Sequence, residues 1–105
     1  FDVMREIMHS PEYHGCIYIN AAVEFPQPHH PAHQSARQAK ADGLKLLVDL
    51  AERAGAANPT ALAEEIDMII EGALITQQVA PDIDACTVAR RAAETLMEKH
   101  LPAAV

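Results

Sequence analysis

The side chains of this 105-residue chain that could do chemistry crowd toward its start. His9, His14, His29, His30 and His33 all fall between residues 9 and 33, and convergent imidazoles can hold zinc, nickel or copper. His30 and His33 would lie on adjacent turns of a helix start. The competing reading is ordinary loop histidine. Nucleophilic chemistry has weaker footing: Ser10 and Ser35 are the only serines and neither sits in a Gly-rich elbow, while Cys16 has no base placed beside it. Cys16 and Cys86 lie far apart, without a CxxC or any metal or redox spacing. Glu64, Glu65, Asp67 and Glu71 suggest a carboxylate site, but Glu64 and Glu65 read as a solvated helix face. Glu98-Lys99-His100 is one residue short of the Glu-x-x-His pair of di-iron bundles, and the four glycines are too scattered to cradle a phosphate. No catalytic residue, metal or cofactor is expected.

Charge excludes a further class. The net charge is −7, from 15 acidic against 8 basic side chains, whereas a phosphate-binding surface needs clustered Lys and Arg. The densest cluster, Arg90-Arg91 with Lys99 two turns on, reads as a solvated face, so the chain alone should not bind DNA. No apolar run reaches the ~18 residues of a membrane span. Two thiols without a secretory signal fit a reducing cytoplasm. The chain opens on Phe1 in mid-pattern, with Phe1, Met4 and Met8 at helical spacing and nothing to cap them; it reads as a fragment of something longer.

Five helices must position these residues, in one all-α domain spanning 1–105. The first covers about 1–9 and is closed by Ser10-Pro11. The second covers about 15–24, before a connector stiffened by Pro26, Pro28 and Pro31. The third, about 32–54, turns Ala36, Ala39, Leu44, Leu47 and Leu50 inward and leaves Arg37, Lys40, Lys45 and Asp49 mostly outward. Gly55 is placed for a left-handed cap, and Asn58-Pro59 opens the fourth helix, about 59–79. That helix has two apolar faces: Leu62, Ile66, Ile69 and Ala73 on one, Met68, Gly72, Ile75 and Val79 on the other. A helix apolar over so much of its circumference must be covered on two sides, and a second copy of the chain is the natural cover. The fifth, about 83–100, is capped by Asp82 or Asp84 and carries a stripe of Ala85, Ala89, Ala92, Ala93 and Leu96.

The stretch Gly15 to Pro31, G-C-I-Y-I-N-A-A-V-E-F-P-Q-P-H-H-P, together with the helix order after it, resembles the effector-binding half of TetR-type (tetracycline-repressor-like) transcription regulators. His30-Pro31 matches the family's His-Pro, which favours the loop reading of the histidines; His29 stands where an acidic residue is more usual. The resemblance implies a homodimer whose last two helices pair into a four-helix bundle, using Leu62, Ile66, Ile69, Ala73, Ala85, Ala89, Ala93 and Leu96. It implies a largely apolar small-molecule effector bound near Met4, Met8, Ile17, Ala21, Phe25, Leu44, Leu47 and Met68. Tyr18, Asn20, His33 and Glu71 would orient that effector. Met and Leu at helical spacing also read simply as core. DNA contact, in such regulators, belongs to a separate amino-terminal helix-turn-helix domain absent from this chain, and ligand binding releases a repressor from DNA. A free-standing helical dimerisation module acting without a ligand is the alternative, and a metal-dependent helical-bundle enzyme a distant third.

Overall fold

Prolines, caps and two glycines at positive φ set the helix boundaries in the computed structural model, which describes residues 1–102. The elements are α1 (Asp2–Met8), α2 (Ile17–Glu24), α3 (Pro31–Arg53), α4 (Pro59–Val79) and α5 (Ala85–His100), with no strand among the described residues. α2 starts two residues later than its apolar pattern predicts. Gly15 takes φ +84°, outside the helical region, and a side chain there would run into the Gln78 amide. α3 begins on Pro31, whose missing N–H costs nothing at a first helical position, and the His30 ring Nδ1 accepts from the Ala32 amide at 3.1 Å. Asn58 Oδ1 caps α4 by accepting from Ala61 N at 3.1 Å. Of the two candidates for α5, Asp84 is the cap, accepting from the Thr87 amide at 3.3 Å and its hydroxyl at 2.7 Å. Gly55 follows α3 at φ +85°.

α3 packs between α2 and α4, α4 packs on α5, and α1 closes back on α5. The core cluster joins Met8 of α1 to Ala73, Ala85, Cys86 and Ala89, with Phe1, Met4, Tyr13, Ile69 and Leu74 against it. Tyr13 donates its hydroxyl to the Leu74 carbonyl at 2.5 Å, and burial pushes its pKa up. Apart from Met8, Leu62 and Cys86, the fully buried apolar residues are alanines, so the helices approach closely but enclose little volume.

The result is a flattened molecule of 47 × 35 × 16 Å. Its radius of gyration is 15.1 Å, against about 13 Å for a compact chain of this length. Its accessible surface is 7214 Å², against roughly 5,800 Å² from size scaling for a compact monomer of this mass. So flat an arrangement leaves apolar side chains of α4 and α5, among them Met68, Ile75, Val79 and Val88, exposed.

Ion pairs at the edge fasten α1. Arg5 bonds Asp84 at 2.8 Å, Arg90 bonds Asp2 at 2.6 Å, and the Cys86 thiol donates to the Phe1 carbonyl at 3.1 Å. The Arg90 guanidinium lowers the pKa of Asp2; the Thr87 hydroxyl, with Thr87 N–H and Arg5, lowers that of Asp84. A carboxylate whose folded pKa is depressed adds stability above its unfolded pKa, about 3.9, and loses it as pH falls through the lower folded value. Acidification below about pH 4 should therefore loosen α1 before the α3–α4–α5 layer. NMR shifts of Met4 and Met8 methyls moving ahead of Leu62 would report this; simultaneous movement would contradict it.

Candidate functional site

Two apolar concavities lie on one face of α3 toward its opposite ends, and a third runs along the α4–α5 pair. The first, about 140 Å³, is a cleft between α2 and α3 floored by Ile19, Ala22 and Ala36 and rimmed by Tyr18, His33, Arg37 and Lys40. Helical spacing explains the rim: His33, Arg37 and Lys40 recur every three or four residues on one side of α3. His33 Nδ1 lies 2.9 Å from the Phe25 carbonyl, which can only accept, so that nitrogen carries the proton. Phe25 itself stacks on the His30 ring at 4.2 Å. The second, about 280 Å³, sits at the far end of the slab among Leu47, Leu50 and Ala51 of α3, Leu62 and Ile66 of α4, and Met97 of α5. The third, about 220 Å³, is a groove along the outer side of α4 and α5, walled by Gly72, Thr76, Ile83, Val88 and Ala92 above Ala73 and Ala89.

The residues predicted to wall one effector pocket are dispersed. Tyr18 and His33 reach the α2–α3 cleft, and Leu47 lines the far cavity. Met8 is buried in the core cluster with Met4 against it. Ile17 is 69% exposed and Met68 77% exposed. Asn20 is used locally, donating Nδ2 to the His14 carbonyl at 2.9 Å. Ala21, Phe25 and Leu44 are half-buried. Glu71 faces α3: one oxygen pairs with Lys40, which also reaches Asp67 at 3.5 Å, and Oε2 is buried without a partner among the described residues. Lys40, predicted to point to solvent, is thus turned inward. Ile19, Ala22, Ala36, Arg37 and Lys40 escaped the sequence reading; the signal was the cationic pair three apart beside a small Ala36, easily taken for a solvated face.

The residues predicted for self-association divide differently. Leu62, Ala73, Ala85, Ala89 and Ala93 are buried within one protomer, and Ile66, Ile69 and Leu96 are half-buried. The apolar surface left open is the second face of α4, with Met68, Ile75 and the 76%-exposed Val79, joined by Ile83 and Val88 of the α5 side.

Residues 1–93 match the family profile described as tetracyclin repressor-like, C-terminal domain. The chain belongs to that family. It is 27% identical over 100 residues to the HTH-type transcriptional regulator YjdC of Escherichia coli (strain K12), and equally to YjdC of Shigella flexneri, covering 92% of this chain and 51% of each relative. SCO4454, a TetR-family transcriptional regulator from Streptomyces coelicolor, superposes with a TM-score of 0.81 at 22% identity, over 94% of this chain and 52% of that one. The chain therefore spans about half the length of the relatives it matches. The TetR-type C-terminal fold accounts for all five helices. Among the described residues no helix is long and apolar enough to cross a membrane.

Proposed function

We propose that this TetR-type domain is the ligand-sensing and dimerisation half of a cytoplasmic DNA-binding repressor, released from DNA when a small molecule binds. The observation that carries the dimer is surface in excess. The protomer exposes roughly 1,400 Å² more than a compact monomer of its mass would. A standard interface needs about 800 Å² from each partner. An open apolar strip lies on α4 and α5, the two helices packed most extensively together. A second copy set there by a twofold axis makes four helices, with Met68, Gly72, Ile75, Val79 and Val88 facing their equivalents. Gly72 has nothing within 4 Å of where a Cβ would be, room that a partner helix can enter.

Sensing needs a ligand with different affinity for two arrangements of the domain. The α2–α3 cleft is suited to this. Lys40 sits at its rim and pairs with Glu71 on α4, so occupancy of the cleft is linked to the helix that carries the dimer face. DNA contact falls to the half of the protein outside this chain, consistent with the acidic balance of −7. The test uses the full-length protein and DNA selected by it from a random pool. A compound that binds this domain should lower the DNA affinity. Compounds that bind and leave DNA affinity unchanged would refute the sensing role.

A further inference from the structure

The formal charges around the α2–α3 cleft are of one sign. Arg37 and Lys40 carry positive charge and the Tyr18 hydroxyl can donate, while no carboxylate lines the cleft. His33 spends its Nδ1 proton on the Phe25 carbonyl. Lys40 is already shared between Glu71 and Asp67, whereas Arg37 enters none of the ion pairs among the described residues and keeps its guanidinium fork for a planar acceptor. Beneath these donors the floor is apolar, with Ile19 and Ala22 of α2 facing α3. The volume, about 140 Å³, is close to that of a cavity known to take one benzene ring, about 150 Å³.

We propose that this cleft binds a small amphipathic carboxylate no larger than about one aromatic ring, its apolar body against Ile19 and Ala22 and its carboxylate on Arg37, with Lys40 as second donor. The proposal rests on the ligand-sensing reading and adds its chemical class. It also gives the Lys40–Glu71 pair a part in signalling. A bound carboxylate competes with Glu71 for Lys40, and because Glu71 Oε2 already lacks a partner among the described residues, any weakening of that pair is felt on α4.

Three probes of one shape and different charge decide the matter: benzoate, benzyl alcohol and benzylamine, titrated into the unmodified chain and followed by the methyl resonances of Ile19 and Ala22. Benzoate should give saturable shifts at both methyls and bind at least about tenfold more tightly than benzyl alcohol, as a charge-assisted hydrogen bond supplies. Benzylamine should give none. Arg37→Gln, a change at an exposed side chain without an ion-pair partner, should bring benzoate down to the level of benzyl alcohol and leave the rest of the spectrum in place. Arg37→Lys should recover part of the loss. Equal binding of benzoate and benzyl alcohol, preference for benzylamine, or indifference of benzoate to Arg37→Gln would each overturn the carboxylate assignment while leaving the sensing role standing. Silence of the cleft toward all three would overturn the assignment too, and the sensing role would then be judged by whether any other compound releases full-length protein from DNA.

Discussion

Val88→Glu is expected to turn the dimer into monomers without unfolding them. Val88 is 48% exposed in the protomer and lines the outer α4–α5 groove, so the new carboxylate is solvated as long as the chain is alone. It lies in the early part of α5, close to the positive end of the helix dipole, which favours an acidic residue. Association would bury it, and its twofold mate, against Gly72, Thr76 and Ala92 with no cation lining the groove. An unpaired buried charge costs about 3 kcal/mol or more, on the order of a 100-fold weaker association. Circular dichroism should stay that of the parent. A variant that unfolds, or that dimerises as tightly as the parent, would mean the groove does not face a second copy.

Met8→Ala should cause the largest loss of stability from a single truncation in α1. Met8 is 3% exposed and is the buried side chain by which α1 enters the core of Ala73, Ala85, Cys86 and Ala89, with Met4 partly buried against it. Those neighbours are too small to collapse into the space, so the cavity persists and the cost should be about 2–4 kcal/mol. For a domain whose total stability is roughly 5–15 kcal/mol, melting should drop by roughly 10–20 °C. Ile17→Ala is the matched control. Ile17 and Met8 both read from sequence as walls of one cavity, yet Ile17 stands 69% exposed on α2, and its truncation should change stability by less than about 0.5 kcal/mol. Comparable losses in the two variants would contradict the placement of α1.

The contrast between these two residues shows where sequence reasoning stopped. Helix order and bounds were legible because local chemistry writes them: Asn58-Pro59 opens α4, Gly55 closes α3 at positive φ, and Pro26 ends α2 in time. The two-faced character of α4 was legible from periodicity, and the structure leaves Met68, Ile75 and Val79 uncovered as that pattern requires. Which of the two faces turns inward was not legible. Both are apolar, and the choice is made by the alanine stripe of α5, whose Ala85 and Ala89 join Ala73 in the core cluster. The cleft was legible only in part. Tyr18 and His33 announce themselves by type, but Ile19 and Ala22 differ from Ile17 and Ala21 by two residues and one, and so small a shift changes the face of a short helix. Lys40 was misplaced because long charged side chains default to solvent. Its inward turn depends on Glu71 and Asp67, one turn apart on a different helix, and a pairing across 31 residues leaves no local trace.

Sedimentation equilibrium of the unmodified 105-residue chain at neutral pH tests the central claim most directly, since it needs no ligand, no DNA and no knowledge of the other half of the protein. The α4–α5 face predicts a mass twice the 11.4 kDa of the chain, falling to 11.4 kDa in Val88→Glu. A single-chain mass for the unmodified protein across micromolar loading concentrations would contradict it.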